Sequence, residues 1–523
     1  MVGREETVQK FREYELSDIS DLITARRIIL FLVITGFLIN SYLALTLSIW
    51  NDEAITANAA TSLAEDGVPD FKSGYEYWRA LPFTLIVAAS TIVFGVSDFS
   101  LRFPSVVFGA LTIGLTYILS KELFDRESAL IGAGFLTFSA LQTAWASQVR
   151  MYAMLQFLYI LTVFLIYKLL KQKEKKYLIP LILSLITVSF VHVTGQILFL
   201  VALSYWAYLN DLHSIMKDRL MIVFPVGILI VLIVFELYFN LDFLEIFERL
   251  TFNPENARYY YELVFRNIPA LSILGVIGSY IGFREKKDSG ILMILSCLPA
   301  LYIYIFHYQG IADRYIYFSL PFLAIWTGLT IRKISEKTYE LLEKLEVEIP
   351  VKVVIILTTL IALIAGSGFD YDYTDDAYRP NMDEKSVYDR IERNWTNDDI
   401  LITQWTPSAT YYLQAPDYSL YGDTRFRGFN STPVRKDYNF SGQELYSGAG
   451  FLDNNNELLN VVTNNERGWV VLRDDTYWRK SEQIKQTLSD IYKVGEFNRM
   501  NLWKWNQSFT STTNASLLQE DQE

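Results

Sequence analysis

Between residues 28 and 369 the chain runs as apolar blocks of about 17 to 22 residues separated by short charged links; beyond 370 no block is long enough to span a bilayer. A chain built this way must satisfy its backbone polar groups within each block, so it folds as membrane helices carrying a separate polar part. Reading the blocks by length gives about eleven spans, near 28–49, 103–121, 128–145, 152–170, 177–193, 195–210, 220–239, 268–283, 289–306, 315–331 and 352–369. The stretch Leu81 to Gly95 is shorter and carries Pro82, which predicts an interfacial or re-entrant helix rather than a span.

Basic residues collect in alternate links: Arg26 and Arg27, Lys121 and Arg126, Lys171 to Lys176, Lys217 and Arg219, Arg284 to Lys287, and Arg332 to Lys352. With these links in the cytoplasm, a leader over 1–27 lies inside and the polar part from Asp370 onward lies outside. That part holds 25 acidic and 16 basic residues, so most of the net charge of −12 belongs to it. An acidic exposed part argues against a nucleic-acid partner, which needs a Lys/Arg surface. The single cysteine, Cys297, lies in an apolar block and forms neither an intrachain disulfide nor a zinc cluster.

Five N-x-S/T triplets, at Asn394, Asn430, Asn439, Asn506 and Asn514, fit an external location, although an Asn-rich segment also produces them by chance. Lys385 to Trp395, Thr406 to Leu413, Glu457 to Glu466 and Glu482 to Ile491 read as helices. Ile400 to Thr403, Trp469 to Arg473 and Val494 to Trp505 read as extended. The fold class expected is a polytopic α-helical membrane protein over 28–369 with a C-terminal extracytoplasmic α/β domain over 370–506; residues 507–523 read as disordered.

On this topology the polar residues near the spans crowd the outer face: Asp52 and Glu53, Arg102, Gln148, Arg150 and Tyr152, His192, His307, and Asp313, Arg314 and Tyr315. A carboxylate pair beside His holds a divalent cation or acts as a general base, and arginines there clamp a phosphate. Each residue also has a plainer reading, since arginines at span ends snorkel to the interface and histidines cap helix ends.

Four stretches resemble one family. Trp50-Asn51-Asp52-Glu53-Ala54 resembles the acidic motif of the protein O-mannosyltransferase and aminoarabinose transferase group of GT-C glycosyltransferases. Arg102-Phe103-Pro104-Ser105 is similar to its Arg-x-Pro-Ser entry to the second span, Arg150-Met151-Tyr152 to its Arg-x-Tyr motif, and Arg314-Tyr315 with Pro321 to a late-span motif. The resemblance implies transfer of a sugar, a hexose such as mannose, from a polyprenyl- or dolichyl-phosphate donor at the outer membrane face, with inversion. The acceptor it implies is a protein or a lipid-linked glycan.

Carried onto these positions, the resemblance makes Asp52 the general base, with Glu53 supporting it. Arg314, Arg150, Arg102 and Tyr315 would bind the donor phosphate, and Gln148, Tyr152, His192 and His307 would line the pocket. Asp52, Glu53 and His192 are the candidate ligands for a divalent cation, Mg or Mn. Many relatives carry an acidic residue where this chain has Gln148, which removes a carboxylate from that set.

The link Asn240 to Asn267 holds Arg249, Arg258, Arg266 and the run Tyr259 to Tyr261. In relatives a loop here admits the lipid donor, and Tyr260 and the three arginines are its candidates; an interfacial aromatic belt reads equally well. The membrane expected is a plasma membrane. A lipid or glycan transporter also suits many spans, but it expects polar residues near the bilayer midplane, and most blocks here have apolar centres. A receptor or adhesion module has little use for so many spans.

Overall fold

The computed structural model describes residues 19–210, 226–227, 252, 254–263, 269–308, 312–347, 349–366, 382–421 and 439–506. The expected span at 220–239, but for Val226 and Gly227, the boundary at 370 and the tail from 507 lie outside the described residues.

The first part is helical throughout: α1 (Ile19–Thr46), α2 (Asn51–Asp66), α3 (Leu81–Phe94), α4 (Asp98–Leu123), α5 (Arg126–Thr137), α6 (Ala140–Ala146), α7 (Tyr152–Ile166), α8 (Leu178–Val191), α9 (Ile197–Leu209), α10 (Pro254–Glu262), α11 (Pro269–Glu285), α12 (Lys287–Phe306), α13 (Leu320–Lys344) and α14 (Val351–Gly366). Among the described residues, Thr24–Thr46, Asp98–Leu123, Tyr152–Lys171 and Lys287–Phe306 are long and apolar enough to cross a membrane. The pair α5 and α6 meets the same length and composition only when taken together and is bent by 63°, the geometry of a broken span or a re-entrant loop. The helix expected over 128–145 is interrupted there. The break falls where Ser139 caps a new helix by accepting from the Gln142 amide.

Small residues let three of these helices touch backbone to backbone. A side chain at Gly278 of α11 would meet the Trp326 carbonyl of α13, and one at Gly328 of α13 would meet the Ser128 carbonyl of α5. At one end of this group Arg332 of α13 joins Asp125 (3.4 Å), Glu285 (2.5 Å) and Glu336 (3.1 Å).

The C-terminal domain holds α15 (Glu384–Glu392), β1 (Ile400–Thr403), α16 (Thr406–Tyr412), β2 (Tyr418–Leu420), β3 (Asn439–Phe440), β4 (Gln443–Glu444), β5 (Gly450–Leu452), α17 (Asn455–Asn464), β6 (Arg467–Arg473), α18 (Asp474–Trp478), α19 (Glu482–Ser489), β7 (Tyr492–Phe497) and β8 (Met500–Asn506). Its sheet has the order β5-β2-β1-β6-β8-β7, parallel from β5 to β6 and antiparallel from β6 through β8 to β7. Alternate residues serve opposite faces: Ile402 and Val470 pack with α17 and α19, whereas Leu401 and Val471 pack with α15 and α16.

The domain sits on the helical part through α16 and the residues before α15. Asn58 of α2 donates to the Pro407 carbonyl (3.0 Å), the Ile49 amide to the Tyr412 hydroxyl (2.5 Å), and the Tyr411 hydroxyl to Asp98 (2.7 Å). A second contact joins the link between α2 and α3 to the turn between β4 and β5: Ser73 donates to the Leu445 carbonyl, and Phe71 meets Tyr446 edge-on at 5.1 Å.

Glu384 is fully buried in this junction, against the Ser408 hydroxyl and the Asn51 backbone, and burial pushes its carboxyl up to about 7. The folded protein therefore holds a proton that an unfolded chain releases near its ordinary value of about 4.3. Stability from this group is complete below that value, falls as pH rises toward 7, and is lost above it, on the order of 3 kcal/mol in all. Glu384→Gln is expected to raise the melting temperature at pH 8 and leave it nearly unchanged at pH 5. An equal shift at both pH values in thermal unfolding would refute this account.

Candidate active site

The site is built around the start of α2, which follows α1 after four residues. Two charged side chains on neighbouring positions, Asp52 and Glu53, leave that turn in different directions. Glu53 is fully buried. Its carboxylate accepts both a bidentate pair from Arg102 (2.8 and 2.7 Å) and the Val149 amide (2.8 Å). Arg102, itself fully buried in the first turns of α4, spends its remaining donors on the Ala44, Leu47 and Ser48 carbonyls at the end of α1 (2.9, 2.6 and 2.8 Å). One guanidinium thus closes α1 and anchors α2.

Gln148 and Arg150 serve the same turn. The Trp50 indole donates to Gln148 (3.0 Å), and the Gln148 amide donates to the Ala144 carbonyl (2.9 Å). Arg150 donates to the Asp52 carbonyl (2.7 Å) and the Thr56 hydroxyl (3.2 Å), and Ser105 donates to the Arg150 carbonyl (3.3 Å). The motifs Arg-x-Pro-Ser and Arg-x-Tyr therefore hold the backbone that carries Asp52.

Asp52 itself is turned outward, 26% exposed, with its carboxylate 3.6 Å from Arg314 Nη1. Arg314 lies over the Tyr315 ring (5.4 Å), and Tyr315 stacks on Tyr304 (5.4 Å, 4°). The neighbouring Asp313 points away and accepts from the Trp145 indole (2.9 Å); burial pushes its carboxyl up to about 7. Trp145 also meets the buried Tyr152 edge-on at 5.0 Å. Tyr152 neighbours the His192 ring at 5.7 Å.

His192 Nδ1 accepts from the Thr194 amide (3.1 Å), so the ring proton belongs on Nε2, and Thr194 in turn meets the Tyr304 hydroxyl at 2.5 Å. The positive fields of Arg79, Arg150 and Arg314 all converge on His192. Arg79 is exposed on the link before α3 and belongs to no motif; a lone arginine entering an apolar helix was its only sequence signal.

The remaining candidates lie apart from this group. Tyr260 of α10 is buried and donates to the Ala312 carbonyl (3.0 Å), which fixes α10 against the Arg314 segment. Arg258 is exposed and pairs along its helix with Glu262 (3.3 Å). Arg249 and Arg266 lie outside the described residues. His307 ends α12 between the rings of Tyr302 and Phe252 (5.2 and 6.0 Å).

Among the described residues no three His, Cys, Asp or Glu side chains form a group that could hold a metal ion. Of the candidate ligands, Glu53 has both oxygens engaged by Arg102, and His192 Nδ1 accepts from Thr194. Beside the polar group lies an apolar cavity of about 250 Å³ between α9 and α12, lined by Ile197, Leu200, Val201, Leu295, Pro299 and Ile303. Its polar lining residues are Thr194, Ser204, Tyr304 and Tyr308.

Residues 79–239 match the family model described as dolichyl-phosphate-mannose-protein mannosyltransferase. No curated protein matches the chain. Its fold is similar to that of ArnT from Cupriavidus metallidurans in the apo state, with a TM-score of 0.60 at 13% identity over 92% of this chain and 98% of that one. For ArnT bound to undecaprenyl phosphate the TM-score is 0.62 at 13% identity, covering 94% and 99%. The archaeal oligosaccharyltransferase AglB from Archaeoglobus fulgidus, in complex with an inhibitory peptide and a dolichol-phosphate, gives 0.56 at 12% identity, covering 90% of this chain and 74% of that one. Along nine-tenths of its length this chain has the fold of these GT-C membrane proteins, and residues 79–239 are similar to the mannosyltransferase family.

Proposed function

We propose that the protein transfers a sugar, a hexose such as mannose, from a polyprenyl- or dolichyl-phosphate carrier to an acceptor hydroxyl, with inversion, at the extracytoplasmic face of a plasma membrane. The observation that carries this reading is the pairing of an outward carboxylate, Asp52, with a guanidinium, Arg314; Arg314 lies over Tyr315, which stacks on Tyr304 in the lining of an apolar cavity. In the proposed step the acceptor oxygen attacks the anomeric carbon and its proton passes to the Asp52 carboxylate. The bond from that carbon to the phosphate oxygen breaks, and the electron pair leaves on the lipid phosphate.

Arg314, with Arg79 and Arg150 behind it, offsets the charge that develops on the leaving phosphate in a site with little water, where such interactions are strong. The carrier chain would occupy the cavity between α9 and α12, whose lining is mostly apolar and which includes Tyr304, stacked on the Tyr315 beneath Arg314. No step is assigned to a divalent cation.

The test is transfer of labelled sugar by purified protein in lipid, with a panel of polyprenyl phosphate sugars as donors. Arg314→Ala is expected to raise the donor KM about 10- to 100-fold, the scale of one lost charge-assisted hydrogen bond. An unchanged donor KM, with folding intact, would remove Arg314 from phosphate binding.

A further inference from the structure

The sheet of the C-terminal domain changes direction at β1. From β1 the chain builds outward through β2 to β5, then returns by way of α17 to β6 on the other side of β1. In open α/β sheets, ligands bind in the crevice beyond the carboxyl ends of the strands at such a point. Here the residues that follow β1 and end β6 meet: the Arg473 guanidinium lies 4.5 Å over the Trp405 ring. Lys480 donates to Gln404 (3.1 Å) and to the Leu420 and Tyr421 carbonyls (both 2.7 Å), so the segment after β6 folds over the ends of β1 and β2.

Two further observations point to a ligand. The half-buried Trp405 has its indole nitrogen enclosed and, among the described residues, without a hydrogen-bond partner, a costly condition for a donor. The crevice also faces the site at the start of α2: α16, which follows Trp405, lies on α2, Glu384 meets the Asn51 backbone, and Arg473 feels the charges of both Glu384 and Asp52.

We propose that this crevice binds the acceptor of the transfer, and that the acceptor is a carbohydrate chain. Trp405 offers the ring face that Arg473 does not cover to the apolar face of a pyranose, and Gln404 and Arg473, the latter also paired with Asp475 (3.2 Å), offer planar polar groups for the ring hydroxyls. A free sheet edge, with which an extended peptide can pair, is not part of this crevice. The strands that end at this crevice, β1 and β6, are interior ones. The identity of the bound sugar as acceptor rests on the glycosyltransferase reading; the carbohydrate site itself does not.

The experiment is saturation-transfer NMR on the full chain in nanodiscs, with mannotetraose, N-acetylchitotetraose and a Ser/Thr-rich peptide as separate probes. At least one oligosaccharide is expected to bind. Trp405→Ala and Arg473→Gln should each weaken it tenfold or more, and Trp405→Phe, which keeps the ring, should retain most of the binding. Binding of the peptide alone, of no probe, or of oligosaccharide unaffected in correctly folded Trp405→Ala would overturn the proposal. Donor consumption measured on the same preparation separates the two readings: sugar binding without donor consumption would defeat the transferase reading and leave the carbohydrate site standing.

Discussion

Asp52→Asn is expected to lower turnover by about 10² to 10⁴, the usual contribution of a general base, while the protein inserts and melts as the wild type does. The expectation follows from how the turn is built. Arg150 holds the Asp52 backbone carbonyl and Arg102 holds the next residue, so the amide replaces the carboxylate without moving the chain. The Arg314 contact weakens, because a neutral amide still accepts a hydrogen bond but carries no charge, so a modest rise in donor KM should accompany the loss in kcat. The measurement is initial rate against both donor and acceptor concentration; retention of more than a tenth of the wild-type kcat would exclude Asp52 as the base.

Glu53→Gln should fail for a different reason, by destabilising the fold. Removing one partner of a buried ion pair leaves an uncompensated charge and costs roughly 3 to 5 kcal/mol, a large share of the total stability of an ordinary domain. Arg102 would keep its three carbonyl contacts but lose the carboxylate that makes its burial tolerable. Thermal unfolding of the purified variant and its yield from membranes should both drop. Arg102→Lys should do the same, since an ammonium cannot reproduce the two-pronged contact. A Glu53→Gln protein that melts normally yet lacks activity would instead return Glu53 to the chemistry.

These two adjacent carboxylates show what the sequence can and cannot reveal. A cluster of charged residues at the ends of apolar blocks was visible from spacing alone, and the structure brings Asp52, Arg314, Arg150, Tyr152 and His192 into one neighbourhood. The division of labour inside it was not visible. Whether an acidic residue faces a cavity or a guanidinium depends on how α1, α2 and α4 pack, and the Glu53–Arg102 pair spans 49 positions of chain. Arg79 was hidden for the opposite reason: it sits in a polar link where an arginine is unremarked, and its charge reaches His192 only through the folded arrangement.

The same holds for the backbone. The helices α15 to α17 and α19 and the strands β1 and β6 follow from periodicity. The hairpin of β7 and β8 read as a single extended stretch because its turn, Asn498 and Arg499, adopts positive φ (35° and 69°) without a glycine to announce it. The break between α5 and α6 depends on one serine competing for an amide inside an apolar run, a contest that hydropathy does not register.

The junction between α16 and α2 bears on how acceptor preference could be transplanted among proteins of this architecture. The C-terminal domain is held by Asn58, Ile49 and Asp98, residues of the helical part that meet Pro407, Tyr412 and Tyr411. A chimera that exchanges only residues 382–506 would set a foreign surface on a socket shaped for Tyr411 and Tyr412, and the turn bearing Asp52 lies at the rim of that socket. Grafting a new preference therefore requires the stretch from Ile49 to Asp98 to travel with the domain, which makes the unit of inheritance the socket and its plug together.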